Sequence, residues 1–347
     1  MIEGHGDDLY RYDAGMVQMN FSTNIYQQAD HTALREYLAE HLDVINSYPE
    51  PQPRSLEKVI AQKLGITPEA VIVTNGATEA IYLIAQMLHH SASIIPQPTF
   101  NEYADACRIN HHIISYENTD DLKELPNDRV YWICNPNNPT GKLMDKDLLL
   151  TVLKHCEELQ IPLLIDECFM DFVADESAYS MTDQLANHPG LIILKAFTKS
   201  YAIPGVRLGY CLTSDASLIE KLYTSGQDWN VSALAQAAGI AALDEDAYLA
   251  ESRQLLAEER NYLITQLRMI GLKVFEGSAN YILIKSLHDF HWPEKLRKHH
   301  ILIRDCSNYR GLSTGFYRIA VKTRKDNRKL IKIMKDYVKH AFITYIN

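Results

Sequence analysis

The sequence predicts an α/β protein whose larger part is a mostly parallel, doubly wound sheet. Between about residues 70 and 215, short runs rich in β-branched residues alternate with longer segments of helical periodicity. The short runs are apolar throughout, which is typical of strands that are covered on both faces. Helices on both sides of a parallel sheet account for the two patterns together.

The expected strands and helices of this region follow one another in a regular order. The strands are AVIVT, SIIP, HHIISY, RVYWIC, IPLLID, GLIILK and LGYCLT, and the helices between them are ATEAIYLIAQMLHH, FNEYADACRIN and DKDLLLTVLKHCEEL. From Val231 to about residue 270, a long helical stretch is interrupted near the acidic DEDA. Beyond it, four short strands and two basic amphipathic helices predict a smaller α+β unit. We therefore expect an N-terminal arm at 1–35 that contributes to the substrate site, a large domain at 36–245 and a small C-terminal domain at 246–347.

Composition limits the classes of function. With 347 residues, of which 46% are hydrophobic and 22% charged, the chain resembles an ordinary globular protein large enough for two domains. Its 34 Lys and Arg stand against 44 Asp and Glu, and the net charge of -10 argues against a nucleic-acid or anionic-membrane partner. The N-terminus lacks signal-peptide features and no apolar stretch approaches about 20 residues, so we expect a cytoplasmic protein.

The cysteines and histidines predict neither a disulfide framework nor a metal site. The six cysteines are scattered and contain no C-x-x-C pair, so reduced thiols are expected. Histidines occur in adjacent pairs at 89–90, 111–112 and 299–300, where neighbouring side chains diverge on a helix or strand. None has partners at zinc-ligand spacing, so we expect solvated surface histidines.

Four predicted strands end in residues that suggest chemistry, at the edge of the sheet where ligands of such folds bind. The strand VIVT leads through Gly76 and Ala77 to Thr78, where helix N–H groups and a hydroxyl form an anion site. An ordinary N-cap by Thr78 explains the same pattern. The strand WIC leads into NPNNPTG, a rigid turn that places Asn138 in the crevice.

The other two strand ends carry charged residues. IPLLID finishes on Asp166, which needs a partner once it is buried, whereas Glu167 faces the other way and is expected to be structural. The segment after GLIILK supplies Thr198, Lys199 and Arg207. Taken singly, Lys195 and Lys199 are each explained as solvated loop lysines. Together, the four segments offer an amine nucleophile, a carboxylate, an amide and an anion cradle, which is the set that pyridoxal 5'-phosphate (PLP) uses.

With PLP as the cofactor, the lysine forms a Schiff base, the aspartate keeps the ring nitrogen protonated and the cradle binds the phosphate. The motifs resemble the fold-type-I family of PLP-dependent aminotransferases, in its class I and II branch. The likeness rests on GAT at 76–78, NPNNPTG at 135–141, DECF at 166–169, TK at 198–199 and RLGY at 207–210. It covers nearly the whole chain and implies the PLP-dependent transferase fold of type I.

The resemblance also assigns residues to the cofactor. It implies that Lys199 rather than Lys195 carries PLP. Asn138 would bond the phenolic oxygen of PLP, and Phe100 would stack on its ring with Tyr103 nearby. The cofactor-binding residues implied in this way are Gly76, Ala77, Thr78, Phe100, Asn138, Asp166, Cys168, Thr198, Lys199, Arg207 and Tyr48.

Enzymes of this family are usually homodimers with active sites at the subunit interface. The segment NSYPEPQ resembles the one whose tyrosine, here Tyr48, contacts the phosphate of the cofactor in the neighbouring subunit. Without that likeness, a surface turn at Tyr-Pro explains the segment equally well. The resemblance therefore implies a homodimer with shared active sites.

The choice of reaction depends on residues that orient the substrate, because the bond at Cα that lies perpendicular to the cofactor ring is the one that breaks. Arg318 in FYRIAVK resembles the arginine that pairs with the substrate α-carboxylate. Asn24 lies where the N-terminal asparagine of the family lines the substrate pocket. An exposed edge-strand arginine is the alternative for Arg318.

Several segments resemble the branch of the family that decarboxylates L-threonine O-3-phosphate, in the cobalamin pathway, more than the histidinol-phosphate aminotransferases. They are HG at 5–6, FSTNI, TKSYAIPGVRLGY, GSANYILIK and ILIRDCSNYRGLSTGFYRIAVK. Phe169 also stands where the aminotransferases commonly have a tyrosine that donates a hydrogen bond to the cofactor. Two positions depart from the decarboxylase pattern, which has glycine in place of Asp7 and arginine in place of Lys195.

This likeness implies that charge-assisted donors hold the substrate's own phosphate. The implied substrate-binding residues are His5, Gly6, Asn24, Arg304, Asn308 and Arg318. A frayed terminus at His5 and a partner within the small domain for Arg304 are equally consistent. We expect PLP-dependent decarboxylation of L-threonine O-3-phosphate to aminopropanol phosphate, with Lys199, Tyr201 or water returning a proton to Cα. A histidinol-phosphate-type aminotransferase is the alternative, whereas the lack of G-x-G-x-x-G disfavours a nucleotide-dependent oxidoreductase.

Overall fold

The computed structural model describes residues 9–13, 15–26, 29–118, 129–286 and 290–346. The α-helices are α1 (Thr32–Glu40), α2 (Arg54–Leu64), α3 (Gly76–Met87), α4 (Glu102–Ile109), α5 (Lys146–Glu158), α6 (Ala216–Ser225), α7 (Ala233–Ala242), α8 (Asp246–Met269), α9 (Trp292–Arg297) and α10 (Arg324–Ile346). The strands are β1 (Met19–Asn20), β2 (Val71–Thr74), β3 (Ala92–Gln97), β4 (Ile113–Asn118), β5 (Val130–Cys134), β6 (Leu163–Asp166), β7 (Leu191–Ala196), β8 (Gly209–Leu212), β9 (Lys273–Phe275), β10 (Tyr281–Lys285), β11 (Ile301–Leu302), β12 (Arg304–Asp305) and β13 (Phe316–Ala320).

Seven strands form the large sheet, in the order β2-β8-β7-β6-β5-β3-β4. The five strands from β7 to β4 run parallel, and β8 runs antiparallel to both of its neighbours. Every residue of β2, β5, β6, β7 and β8 is buried, as their continuous apolar sequences require. The predicted mostly parallel sheet is therefore confirmed.

Helices cover both faces of this sheet. In β6, Leu163 and Ile165 pack into a core with residues of α2, α5 and α7. Leu164, between them, packs into a second core with residues of α3 and α4. This alternation follows from the two-residue period of a strand, and it makes the sheet doubly wound as predicted.

The second unit is α+β and is built on a four-stranded antiparallel sheet, in the order β12-β13-β10-β9. Its core packs against α8, α9 and α10 around buried side chains such as Tyr281 and Trp292. The N-terminal segment joins this unit, because Phe21 lies in the same core and its carbonyl accepts a hydrogen bond from the amide of Ala320 at 2.9 Å. The domain boundaries at residues 35 and 245 stay a prediction.

The long helical stretch that was predicted after Val231 consists of two helices in the structure. α7 ends at Ala242 and α8 begins at Asp246, so the interruption falls at the acidic segment where it was predicted. Over the ranges that the structure describes, no helix is both long and apolar enough to cross a membrane.

Gly209, the first residue of β8, allows a close approach between this strand and the start of α3. A Cβ atom at Gly209 would lie 2.5 Å from the backbone nitrogen of Ala77 and 2.8 Å from the carbonyl carbon of Gly76. Because backbone atoms cannot move aside cheaply, we expect Gly209→Ala to lower the free energy of unfolding by about 1 to 3 kcal/mol. Urea denaturation measures this change.

Gly205→Ala is the matched control, four residues earlier. A Cβ atom at Gly205 meets no atom within 4 Å, so this variant should stay within about 0.5 kcal/mol of the wild type. Equal stability of the two variants would contradict the predicted close contact.

Candidate active site

A cavity of about 220 Å³ opens at the carboxyl ends of β5, β6 and β7. A single water needs only about 10 to 15 Å³, so the space suits a small molecule. The large sheet, the N-terminal segment and the second unit all contribute to its wall. The lining residues are Ser22, Thr23, Asn24, Ala77, Thr78, Ile81, Phe100, Asn101, Tyr103, Cys134, Asn138, Asp166, Cys168, Phe169, Ala196, Thr198, Lys199, Arg207, Arg304, Tyr309 and Arg318.

Lys195, in β7, and Lys199, just after this strand, have different surroundings. Lys195 is 4% exposed, and its Nζ lies 3.2 Å from both Glu167 Oε2 and Glu176 Oε1. Burial lowers the pKa of Lys195, but nearby carboxylates outweigh this effect and raise it, so the ammonium keeps its charge. Lys199 lines the cavity, with Nζ 5.9 Å from the ring centroid of Phe169. A solvated loop position is therefore wrong for Lys195, which forms a buried ion pair with Glu167.

Asp166, the last residue of β6, is a buried carboxylate at the cavity wall. Its Oδ2 accepts a hydrogen bond from Tyr103 Oη at 2.5 Å, and its Oδ1 accepts one from the backbone N–H of Cys168 at 2.9 Å. Burial and the Asp166 charge raise the pKa of Tyr103 well above its usual value, so the phenol keeps its proton and donates. In the described part of the chain, no cationic side chain lies within 4.0 Å of this carboxylate. A buried carboxylate with neutral donors only suits a ligand that brings a positive charge.

Arg207 and the first turn of α3 form an anion cradle. Gly76 has a φ of +77°, and a Cβ atom there would lie 2.7 Å from Arg207 Nη2, so glycine lets the guanidinium approach the helix. The N-cap of α3 is Asn75, which makes the alternative of an N-cap at Thr78 wrong. First-turn N–H groups, the hydroxyls of Thr78 and Thr198, and the guanidinium together suit a phosphate group.

Arg318 connects three parts of the chain at the cavity. Its Nη1 donates to Asn138 Oδ1, and its Nη2 donates to the backbone oxygen of Ser22 at 3.0 Å. With the amide oxygen of Asn24 turned toward it, that oxygen accepts from Arg318 Nη1 at 3.1 Å. Tyr309 Oη donates to Asn138 Oδ1 at 3.4 Å. Arg318 is 4% exposed, so the alternative of an exposed edge-strand arginine is wrong.

Arg304 and Arg318 occupy directly opposed positions on β12 and β13. Both are buried, and both line the cavity. Arg304 Nη2 donates to Asn308 Oδ1 at 2.9 Å, whereas the buried Nε has no hydrogen-bond partner within the described part of the chain. Among the residues that the structure describes, no carboxylate lies within 4.0 Å of either guanidinium. Two adjacent buried cations without a counter-ion favour a ligand with anionic groups.

Three described residues predicted for the site do not line the cavity, namely Gly76, Tyr48 and Asn308. Gly76 instead lies against the guanidinium of Arg207. Tyr48 is 85% exposed, and its ring centroid lies 5.5 Å from that of Trp229. Asn308 contacts the guanidinium of Arg304 instead of the cavity. Its contribution to substrate binding would therefore be indirect, through the orientation of Arg304.

The N-terminal segment contributes Ser22 and Thr23, which the sequence did not single out. Both lie in FSTNI, a segment that was singled out for its family resemblance. No pattern in the sequence pointed to these two residues individually. Tyr309 was missed in the same way within CSNYR. His5 and Gly6, predicted to bind substrate, lie outside the described residues.

Comparisons with known proteins bear directly on this site. The family model for aminotransferases of class I and II matches residues 17–334. The chain belongs to this family. Its members depend on PLP, and the expected family, fold type and cofactor are confirmed.

Individual relatives in the aminotransferase family include both expected kinds of enzyme. The threonine-phosphate decarboxylase of Salmonella typhimurium is 31% identical over 331 residues, which cover 92% of this chain and 90% of the relative. The crystal structure of L-threonine-O-3-phosphate decarboxylase from Porphyromonas gingivalis has a TM-score of 0.85 and 28% identity, covering 92% of this chain and 99% of that one. The histidinol-phosphate aminotransferase from Clostridium acetobutylicum also has a TM-score of 0.85, with 30% identity and the same coverage of 92% and 99%. Backbone similarity alone does not separate the two activities.

The residues of this aminotransferase-family site fit PLP. Asp166 is a buried carboxylate without a cationic partner in the described ranges, which suits a protonated pyridine nitrogen. The cradle of Arg207 and the α3 N-terminus suits the phosphate. Lys199 lies in the same cavity and is the amine that would bind the aldehyde.

The six cysteines are free and buried. Burial raises the pKa of the thiols of Cys107, Cys156 and Cys211 to about 12 and that of Cys306 to about 11. It also raises the pKa of the Cys134 and Cys168 thiols, which line the cavity. Because thiolates react and these form only at high pH, we expect no rapid reaction of the native protein with Ellman's reagent at pH 8.

After denaturation in guanidinium chloride, all six thiols should react at once. Rapid labelling of Cys134 or Cys168 in the native protein at pH 8, located by peptide mass spectrometry, would contradict the raised pKa values.

Proposed function

We propose that this protein is a PLP-dependent decarboxylase of L-threonine O-3-phosphate that releases carbon dioxide and aminopropanol phosphate, in the cobalamin pathway. The observation that carries the proposal is the pair of adjacent buried arginines, Arg304 and Arg318, which face the cavity without a carboxylate partner in the described ranges. A phosphorylated amino acid has two anionic groups that match two such cations. The resemblance to threonine-phosphate decarboxylases supports the same choice.

The proposed roles follow from the positions of the side chains. Bound PLP supplies an electron-withdrawing ring conjugated to the substrate amine. Arg318 holds the α-carboxylate through its planar guanidinium, with Asn24 and Asn138 fixing the guanidinium plane. Arg304 binds the substrate phosphate, for which its unpartnered Nε is available.

Loss of carbon dioxide leaves an electron pair at Cα, and one proton must be added there to give the amine product. Of the two side chains considered for this step, Lys199 lines the cavity and Tyr201 does not. Tyr201 instead packs against Phe197, with ring centroids 5.0 Å apart. We therefore propose Lys199 as the group that returns the proton.

A histidinol-phosphate-type aminotransferase is the second candidate, because the Clostridium acetobutylicum structure matches equally well. It would use the same cofactor residues, would remove a proton from Cα of the amine donor and add one to Cα of the glutamate product, and would break no carbon–carbon bond. Phe169 favours the decarboxylase, since its ring packs edge-on against Tyr281 and has no hydroxyl to donate to the cofactor.

Two assays on the purified, PLP-loaded protein separate these activities. With L-threonine O-3-phosphate we expect stoichiometric carbon dioxide and aminopropanol phosphate. With histidinol phosphate and 2-oxoglutarate we expect little glutamate. Lys199→Ala should lose at least about a thousandfold in kcat and should yield no PLP-modified peptide after borohydride reduction, because the amine that binds the aldehyde is gone.

Fast glutamate formation with no carbon dioxide would show the aminotransferase instead. Borohydride labelling of another lysine in the wild type would contradict the role of Lys199.

We further propose that the protein acts as a homodimer in which Tyr48 contacts the cofactor phosphate of the neighbouring subunit. The exposed large apolar side chains of the described residues include Leu42, Ile45, Tyr48, Trp229 and Leu234. The rings of Tyr48 and Trp229 lie 5.5 Å apart, centroid to centroid. Leu42 and Leu234 border a groove that also includes Gly205 and Val206, next to the cradle residue Arg207. Exposed apolar surface beside an active site is typical of a subunit interface.

Mixing two inactive variants tests the shared site. Lys199→Ala and Tyr48→Ala subunits, unfolded together and refolded, should form hybrids that contain one complete site. We expect activity up to about a quarter of the wild type, well above the sum of the parents. A monomeric mass by light scattering, or no gain on mixing while each parent still dimerises, would contradict the proposal.

The free thiols also bear on the cellular compartment in which the protein acts. All six cysteines are reduced in the structure, and buried reduced thiols are typical of a reducing compartment. We therefore propose that the enzyme acts in the cytoplasm on a small phosphorylated substrate.

A further inference from the structure

Residues 304–312, here called the rim segment, lead from the second unit to the edge of the cavity. After β12, the amide of Tyr309 donates to Cys306 O at 3.1 Å and the amide of Leu312 donates to Tyr309 O at 3.0 Å. Gly311, with a φ of +84°, lies beside the large sheet, since a Cβ atom there would be 3.8 Å from the nitrogen of Pro98. The rim segment is therefore a compact pair of turns that bridges the two units.

Arg310 makes the contact that joins the rim segment to the edge strand β4. Its guanidinium carbon lies 3.9 Å from the ring centroid of Tyr116, the shortest cation–ring distance among the described residues. Tyr116 is also near Arg108 of α4, whose pKa is raised mainly by Asp105 and to a smaller extent by Tyr116. In the described ranges no carboxylate lies within 4.0 Å of the Arg310 guanidinium, so the aromatic ring is its main partner.

Two later residues of the rim segment, Asn308 and Tyr309, contact the side chain of Arg304. Asn308 Oδ1 accepts from Arg304 Nη2 at 2.9 Å, and the Arg304 guanidinium carbon lies 5.3 Å from the ring centroid of Tyr309. Tyr309 in turn donates to Asn138 at the cavity wall. Asn308 and Tyr309, which contact Arg304, therefore immediately precede Arg310, which stacks on Tyr116.

We propose that Tyr116 and Arg310 form a clamp between the two units and act as positioning residues for Arg304. The inference rests on the proposed function, in which Arg304 binds an anionic group of the substrate. Neither Tyr116 nor Arg310 lines the cavity, so their effect passes through the rim segment. Loss of the clamp lets this segment move away from Pro98 and weakens substrate binding more than it slows the reaction of bound substrate.

Steady-state kinetics of the full-length, PLP-loaded enzyme test the clamp. Tyr116→Leu and Arg310→Ala should each raise KM for L-threonine O-3-phosphate about threefold to tenfold, with kcat within about twofold of the wild type. The double variant should be no worse than either single variant, because both remove the same contact. Tyr116→Phe keeps the ring that Arg310 stacks on and loses only the hydroxyl, so its KM should match the wild type.

A second measurement separates positioning from damage to the edge strand. In Tyr116→Leu, amides at 306–312 should exchange hydrogen faster than in the wild type, while the PLP absorbance and the exchange of β4 amides stay unchanged. Tyr116→Phe should restore slow exchange. Unchanged exchange at 306–312 in both Tyr116→Leu and Arg310→Ala, or a KM effect of equal size in Tyr116→Phe, would overturn the clamp.

Arg304→Ala distinguishes failure of the clamp from failure of the proposed function. If Arg304→Ala raises KM and the clamp variants do not, the clamp is wrong and the substrate role of Arg304 stands. If Arg304→Ala leaves KM unchanged, Arg304 does not bind the substrate. The proposal that Tyr116 and Arg310 position Arg304 for that role is then wrong too. Faster exchange at 306–312 would then show only a structural contact.

Discussion

The burial of the Asp166 carboxylate is the constraint on which the whole site depends. β6 lies between β5 and β7 and is buried along its length, so its last residue places a carboxylate at the cavity wall with only 5% of its surface exposed. The phenol of Tyr103 and the amide of Cys168 offer hydrogen bonds but no positive charge. A protonated pyridine nitrogen would supply that charge, which would link the order of strands in the sheet to the choice of cofactor.

Cationic side chains line the same cavity as Asp166. Arg304 and Arg318 come from the second unit, and Arg207 comes from the loop before β8. A ligand that is positive at its ring and negative at its periphery would therefore be oriented before any bond changes. Since Arg304 and Arg318 belong to the second unit and Asp166 belongs to the large sheet, the site is complete only where the two units meet.

Local sequence predicted the sheet and singled out several side chains that line one cavity, but it did not predict the contacts between them. Continuous apolar runs identified the buried strands, and short motifs at their ends identified Asp166 and Lys199, because both signals lie within a few residues. The Tyr103 bond to Asp166 joins residues 63 positions apart, which no local pattern records. The ion pairs of Lys195 and the opposition of Arg304 and Arg318 depend likewise on how distant segments fold together. Motif resemblance predicted the fold type, whereas Tyr48 is exposed and its contact with a second chain stays a proposal.

The opposed arginines have a consequence for the evolution of the protein. Like charges held side by side in a low dielectric destabilise the fold, and an apolar or neutral residue at either position would relieve that repulsion. If both bind the substrate as proposed, the pair would lower thermal stability and raise affinity, a trade-off that binding sites commonly show. An anionic metabolite bound between them would act as a counter-ion and stabilise the native state. In a cell, the supply of substrate would then also govern the lifetime of each molecule.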